Sequence, residues 1–402
     1  MALVDIESEF SEAEHAVRDQ AHKFAEEVMR PAGVQLDKLS DPADVIAKQS
    51  VLWQVFDRYR ELDFDALESP DPDMTPAQAV RLRFLVNEEL GWGDSGLAIS
   101  LGVSGFHRFF AKLSGRPELI ERFCTPGNVD IGCWAVTEPD HGSDTLAFDQ
   151  PHFSDAKLRA NCIARKDGDS WVIRGQKAAW VSNGTIATVA ALFCTIDPDH
   201  GFQGGGVAVV PLDLPGVSRG KPLDKIGQRA LNQGEIFFDE VRIPESYMVV
   251  GKEAYGFVVE QVLAMANAAM GTIFVGVGRA ALEHALAYAQ ERVQGGVPIF
   301  RHQSVKARLF KAFAQVEAAR GLARRVAAYN ATHPPLVQYS IASKVFATQT
   351  AFEVASGALQ IYGGNGLSRE YPIEKLMRDA RASMIEDGCN DLLSLVGAEK
   401  LC

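Results

Sequence analysis

Polar residues that could bind a ligand follow a short apolar run at Cys133–Asp144, which reads C-W-A-V-T-E-P-D-H-G-S-D. Trp134 and Val136 are predicted to share one face of a strand, because side chains alternate along it. The proline after Glu138 keeps the backbone extended. The turn that follows offers hydroxyls and free backbone N–H groups, which would suit a planar ligand rich in acceptors, such as a flavin. An ordinary strand and turn would have the same composition, so local chemistry leaves both interpretations open.

Composition narrows the class of protein. The chain has 402 residues, of which 47% are hydrophobic and 23% are charged, so it can bury a large core and form two to three domains. The formal net charge of −12 argues against broad binding to nucleic acid or to an anionic membrane. We therefore expect neither as a partner.

The cysteines and the amino terminus indicate a reducing compartment. The six cysteines are scattered and form no C-x-x-C pair: Cys124, Cys133, Cys162, Cys194, Cys389 and Cys402. This spacing predicts neither a metal site nor a disulfide framework. Residues 1–7 show no basic region followed by an apolar run, and Val262–Gly278 is interrupted by Asn267. We expect a cytoplasmic protein whose long apolar segment is a bundle helix.

The order of predicted elements gives the domain organisation. Residues 1–130 have helical periodicity, with a capping box at Ser11 to Glu14. Residues 131–250 contain alternating runs, and Asp167-Gly168 is a strong hairpin signal. Long helical patterns return over 251–402. The sequence predicts an α+β multidomain protein with an N-terminal all-α domain, a middle antiparallel β domain and a C-terminal helical bundle.

Three motifs resemble those of the acyl-CoA dehydrogenase family of flavoproteins. They are V-T-E-P with G-S-D from Val136 to Asp144, G-G-N-G at Gly363–Gly366, and Y-P-I-E-K-L-M-R-D-A at Tyr371–Ala380. The resemblance implies the family's fold, in which the C-terminal domain is a four-helix bundle. It also implies FAD as cofactor, a homotetramer or homodimer, and an acyl thioester as substrate.

The resemblance also implies which residues bind the flavin and the substrate. The predicted contacts to the flavin ring are Trp134, Val136, Thr137, Gly142, Ser143, Trp180, Val181, Ser182, Cys389 and Asp391. Ser143 and Gly388 are predicted at the thioester. The pyrophosphate and adenine are bound across a subunit contact, with the predicted residues Arg292, Gln294, Gln303, Gln360, Gly363 and Gly364. Arginine suits a pyrophosphate because it forms paired, charge-assisted hydrogen bonds.

The family's reaction is α,β-dehydrogenation, in which a carboxylate removes the α proton and the flavin takes a hydride from the β carbon. Counting along the chain without a gap, Asp387 stands at the family's usual glutamate base, and Glu386 stands where an aromatic residue is usual. Aspartate is one methylene shorter, and small displacements of a base matter greatly. Asp387 is therefore the predicted base, with Glu386 as the alternative.

Other departures keep several functions open. Leu263–Met270 lacks the Asp-x-x-Arg group that many relatives have there, so the thioester carrier could be coenzyme A or an acyl-carrier protein of a biosynthetic pathway. An aspartate base also fits a flavin oxidase of carbon acids, similar to nitroalkane oxidases. A third alternative is a non-catalytic flavin-binding subunit. The electron acceptor is expected to be an electron-transfer flavoprotein, or oxygen for an oxidase.

Overall fold

The computed structural model describes residue 6 and residues 10–64, 74–148 and 150–401, so the predicted absence of a signal segment falls largely outside it. The N-terminal part is helical: α1 Glu12–Phe24, α2 Arg30–Asp37, α3 Pro42–Val45, α4 Val51–Glu61, α5 Pro76–Gly93, α6 Ser95–Val103, α7 Phe106–Leu113 and α8 Pro117–Phe123. Ser11 and Glu14 form the predicted capping box of α1. That sequence signal therefore located the helix start correctly.

The middle part is one eight-stranded sheet. Its strands are β1 Gly132–Ala135, β2 Ile163–Asp167, β3 Ser170–Lys177, β4 Val189–Thr195, β5 Gly205–Pro211, β6 Val217–Arg219, β7 Ile236–Pro244 and β8 Met248–Val250. The spatial order is β6-β7-β3-β2-β4-β5-β8, with β1 beside β4. Asp167 pairs with Ser170, which confirms the hairpin.

The sheet is mixed rather than purely antiparallel. Strand β1 runs parallel to β4 over four residue pairs, and β2 meets β4 in parallel at Ile163 and Thr195. The other pairs are antiparallel. Long connections separate β1 and β2 from β4 in the chain, and parallel pairs require such crossovers. The prediction of an antiparallel sheet is thus right for most strand pairs and wrong for two of them, β1 with β4 and β2 with β4.

The C-terminal part consists of α9 Lys252–Glu291, α10 Gln303–Thr332, α11 Val337–Tyr362, α12 Ile373–Ser383 and α13 Asn390–Glu399. A short hairpin of β9 Val293–Gln294 and β10 Val297–Pro298 joins α9 to α10. Helix α9 is long and apolar enough to cross a membrane by length and composition, but 72% of its most apolar window is buried inside the structure. It is the central helix of the bundle. Helices, sheet and helices in this order confirm the predicted fold class.

Candidate functional site

The turn between α12 and α13 carries the predicted base. Asp387 has a φ of 52° and Gly388 has a φ of 90°, so both residues are left-handed, which is unusual for a non-glycine residue. A Cβ atom on Gly388 would lie 2.8 Å from Cδ2 of Leu393. The backbone N–H of Cys389 donates to Oγ of Ser143 at 3.0 Å. This bond joins the turn to the middle domain and brings Ser143, Asp387, Gly388 and Cys389 together.

A buried lysine supports the same turn from α11. Lys344 is 0% exposed, and its Nζ donates to the carbonyl oxygen of Gly388 and to Oδ1 of Asn390, each at 2.8 Å. The amide Nδ2 of Asn390 donates in turn to Oγ1 of Thr348 at 3.0 Å. These bonds fix the start of α13 against α11.

Glu386 is held by a residue of the middle domain. Its Oε1 accepts a hydrogen bond of 2.5 Å from Nε2 of Gln228, which is 1% exposed. Burial and the neighbouring Asp387 raise the pKa of Glu386 to about 7, while the bond from Gln228 opposes that shift. The Glu386 side chain is thus directed to the loop that precedes β7.

Asp387 differs from its neighbour in having no side-chain hydrogen bond to any residue of the described chain. Burial raises the pKa of its carboxyl to about 6, and the charge of Lys344 acts in the opposite direction. A half-buried carboxylate with a pKa near 6 is ionised at neutral pH and can still accept a proton. Such a group has the properties of a general base.

A buried ionic network lies behind Gln228. Its backbone N–H donates to Oδ1 of Asp379 at 2.5 Å. Lys375 contacts Oδ2 of Asp379 at 2.6 Å and Oδ2 of Asp94 at 2.5 Å. The side chains of Lys375, Asp379 and Asp94 are all buried. The network links the N-terminal helices, α12 and the Gln228 loop, and it restrains the loop that contacts Glu386.

The end of β1 forms the other side of the candidate site. Cys133 and Ala135 pack in one core cluster, and Trp134 and Val136 pack in another, as the alternation predicts. Glu138, just beyond the strand, accepts hydrogen bonds from the backbone N–H groups of Asn161 and Cys162, and pairs with Lys177. Its role is to fix the strand end rather than to face a ligand.

The prediction of free N–H groups in the turn after Glu138 is wrong at two positions. The N–H of His141 donates to the carbonyl oxygen of Glu138 at 3.2 Å. The N–H of Gly142 donates to Oδ1 of Asp144 at 2.6 Å. Aspartate side chains commonly bond nearby backbone groups in turns, and here Asp144 takes the group that a ligand would need.

Several predicted flavin contacts retain groups that a ligand could use. The indole Nε1 of Trp134 is buried and has no hydrogen-bond partner within the described residues. The Trp180 side chain is 57% exposed, and Ser182 accepts a bond from Gln233 at 3.3 Å. Val181 is only 1% exposed and packs in the sheet core. Of these residues, Val181 has a side chain that cannot reach a ligand without repacking.

The other residues predicted to contact the flavin ring also differ in their exposure. Val136, Thr137 and Cys389 are half-buried, whereas Gly142 and Asp391 are exposed. Asp391 lies in the first turn of α13. Thr137 also accepts the backbone N–H of Ala178 at 2.8 Å through its carbonyl oxygen, which joins the two segments predicted to line the ring.

The predicted nucleotide contacts form a second, separate group at the carboxyl end of α9. The Tyr288 ring stacks on Tyr362 with centroids 3.9 Å apart, which brings the ends of α9 and α11 together. The predicted residues there are all exposed: Arg292, Gln294, Gln303, Gln360, Gly363 and Gly364. Arg292 makes no side-chain ion pair within the part of the chain that the structure describes. An exposed guanidinium suits a phosphate group.

The two groups are far apart in a single chain. Leu146, three residues after Ser143, packs in the same cluster as Ala264 of α9. From Ala264 to Arg292 the helix spans roughly 40 Å at about 1.5 Å per residue. The predicted contacts to the flavin ring and to the nucleotide therefore lie toward opposite ends of α9.

Sequence reasoning missed Lys344, Gln228 and Lys225. Lys344 stands within an apolar helical pattern, and an isolated lysine there is a signal of a buried, partnered charge. Gln228 and Lys225 lie in a loop with no recognisable motif. The Nζ of Lys225 donates to the carbonyl oxygen of Leu231 and to Gln233, and burial lowers its pKa to about 8 while Glu386 opposes that shift.

Comparisons with known proteins agree over almost the full chain. The family model described as acyl-CoA dehydrogenase, middle domain, matches residues 133–241, and the model of the C-terminal domain matches residues 256–402. The mitochondrial short-chain specific acyl-CoA dehydrogenase of Rattus norvegicus is 30% identical over 98% of this chain and 91% of its own length. Butyryl-CoA dehydrogenase from Megasphaera elsdenii superposes with a TM-score of 0.85 and 26% identity, covering 99% and 100% of the two chains.

A third solved structure shows the fold alone. The prolyl acyl carrier protein oxidase AnaB superposes with a TM-score of 0.83 over 98% of this chain and 99% of that one, at 20% identity.

Proposed function

The chain belongs to the acyl-CoA dehydrogenase family, and from this premise we propose that it dehydrogenates an acyl thioester between the α and β carbons with FAD, using Asp387 as the base. The observation that carries the proposal is the difference between the two adjacent carboxyls. Glu386 is bonded to Gln228, whereas Asp387 has no side-chain bond within the described residues and a pKa of about 6. Asp387 is therefore free to receive the α proton.

The residues present fit a flavin. Trp134 has a buried indole N–H that needs an acceptor, and Trp180 and Ser182 flank the same strand end. Arg292 is available for the pyrophosphate of a partner's flavin. When bound, the flavin supplies the acceptor for the hydride from the β carbon. The proposal includes a homodimer or homotetramer, because Ala264, which packs near the first group, and Arg292 of the second group are separated by roughly 40 Å along α9.

The chain's own residues account for the proton transfer. Ser143 and Lys344 hold the turn through Cys389 and Gly388, so the backbone that carries Asp387 is restrained before substrate binds. Fixed geometry contributes strongly to catalysis. Leu146 and Leu393 lie against Gly388, the residue after Asp387, and burial raises the pKa of the Asp387 carboxyl.

An acyl-carrier-protein thioester is the second candidate substrate. Leu263 and Ala264 of α9 are buried in an apolar cluster, and Asn267 donates back to the carbonyl oxygen of Leu263 at 2.9 Å. No charged side chain of residues 263–270 is available to bind a nucleotide-bearing thioester. A carrier protein offers the same phosphopantetheine arm without the adenine nucleotide. A protein named prolyl acyl carrier protein oxidase has the same fold.

The test is anaerobic titration of the flavin-loaded protein with a panel of acyl-CoA and acyl-carrier-protein thioesters. Loss of the oxidised flavin absorbance with at least one thioester is the expected result, and the better carrier identifies the substrate class. An electron-transfer flavoprotein is the expected acceptor for turnover. Flavin that stays oxidised with the whole panel, together with oxygen consumption on a small nitroalkane, would replace this proposal with a carbon-acid oxidase.

A further inference from the structure

Lys344 is a charged side chain buried within the bundle. It is 0% exposed, and an ammonium group is costly to bury unless it is both paired and hydrogen-bonded. Its hydrogen-bond acceptors, the carbonyl oxygen of Gly388 and Oδ1 of Asn390, are both neutral. The countercharge must therefore come from groups that it does not bond directly.

The turn itself provides that countercharge. Burial lowers the pKa of Lys344 to about 8, and the groups that oppose the shift are Asp387 first, then Glu386 and Cys389. Lys344 is in turn the group that lowers the pKa of Asp387 against the effect of burial. Each of the two groups thus stabilises the charged form of the other.

Asp387 and Glu386 have different charged neighbours. The charge of Lys225 and the hydrogen bond from Gln228 also act on Glu386. The backbone N–H of Gln228 donates in turn to Asp379 of α12. For Asp387, Lys344 is the charged group that opposes burial. A change at Lys344 should therefore act on Asp387 more directly than a change at Lys225.

We propose that Lys344 is a positioning residue for the base: it fixes the Asp387 turn through the Gly388 carbonyl, and its charge keeps Asp387 ionised at neutral pH. The inference rests on the proposed function, because it requires Asp387 to act on a thioester. Without the ammonium, burial acts unopposed, so Asp387 should hold its proton at a higher pH and fail to accept one at pH 7.

The test uses acetoacetyl-CoA and acetoacetyl-pantetheine as probes of the flavin-loaded full chain. The probe has a ketone at its β carbon and so has no hydride to give. Loss of its α proton alone produces an enolate, seen as long-wavelength charge-transfer absorbance beside oxidised flavin. The band is measured against pH for wild type, Lys344→Met, Lys344→Gln and Thr348→Val. Glutamine is neutral but can still donate to Gly388, and Thr348→Val alters the same hydrogen-bonded group without changing charge.

The expected result is a band that disappears on the acid side, with a midpoint raised by about one pH unit or more in both Lys344 variants and unchanged in Thr348→Val. If Lys344→Met does not fold, Lys344→Gln gives the same reading. An unchanged midpoint in a folded Lys344 variant, with only lower thermal stability, would overturn the inference and leave the proposed function intact. A wild-type protein that neither forms the band nor is bleached by any thioester would overturn both.

Discussion

Gln228 donates a hydrogen bond of 2.5 Å from Nε2 to Oε1 of Glu386, across the contact between the middle domain and the C-terminal turn. Gln228 and Asp387 are both left-handed, with φ values of 48° and 52°. Strained non-glycine residues persist where the surrounding structure holds them, and they are concentrated at functional sites. The two adjacent carboxyls therefore have different tasks: Glu386 connects the domains, and Asp387 remains available.

Replacing Glu386 by glutamine should have a modest effect on the rate of flavin bleaching, below about tenfold. The substitution removes a charge but leaves a side chain that can still bond to Gln228, whereas loss of a general base costs on the order of 10²–10⁴. Anaerobic stopped-flow measurement of the bleaching rate tests this expectation. A collapse of the rate in Glu386→Gln would assign the base to Glu386 instead.

The rate should rise with pH through about 6. Burial raises the pKa of Asp387 to about 6, so below that pH the carboxyl is protonated in the folded protein and cannot accept the α proton. The bleaching rate measured from pH 5 to 8 should fall on the acid side with a midpoint near 6. A midpoint near 4, the ordinary pKa of aspartate, would contradict the buried environment.

Replacing Arg292 by alanine should weaken flavin retention without changing the fold. Arg292 is exposed and carries the charge predicted to face a pyrophosphate. Such charge-assisted bonds contribute about 1.5–3 kcal/mol each, which corresponds to roughly tenfold or more in flavin affinity. Arg301 is exposed on the same segment, and Arg301→Ala is the matched control for loss of charge. Equal flavin retention in the two variants after gel filtration would remove Arg292 from the site.

Replacing Lys177 by methionine should destabilise the middle domain strongly. Lys177 and Glu138 are both 0% exposed in their side chains and lie 2.6 Å apart. Removal of one partner leaves a buried charge unpaired, at a cost of about 3–5 kcal/mol in the free energy of unfolding. Lys166→Met, which breaks a partly exposed pair with Glu245, should cost below about 1 kcal/mol. Similar urea midpoints for the two variants would contradict this difference.

Sequence alone predicted the features that depend on neighbouring residues. The capping box at Ser11 and the hairpin at Asp167 are set by local turn and cap chemistry, so each could be located from a few residues. The parallel pairing of β1 with β4 depends on strands distant in the chain, and no local pattern encodes it. The prediction of a free N–H at Gly142 was wrong because this group donates to the side chain of Asp144. Aspartate side chains in a turn can satisfy the backbone groups of that turn.

The candidate site was predictable in part for the same reason. The family motif led to Asp387 and Ser143, and the structure joins their segments through the bond from Cys389. Lys344 and Gln228 were missed because their importance comes from contacts with residues far away in the sequence. Gln228, for example, is 158 residues before the carboxyl it bonds.

The central claim is that Asp387 accepts the α proton, and the bleaching rate of Asp387→Asn tests it most directly. Asparagine is nearly isosteric with aspartate, so the turn should remain intact. Its amide cannot act as the base. With the thioester that bleaches wild type fastest, at pH 7.5, we predict a loss of about 10²–10⁴ in the rate, with flavin content and thermal stability retained. A flavin-loaded Asp387→Asn variant that bleaches at the wild-type rate would contradict the account.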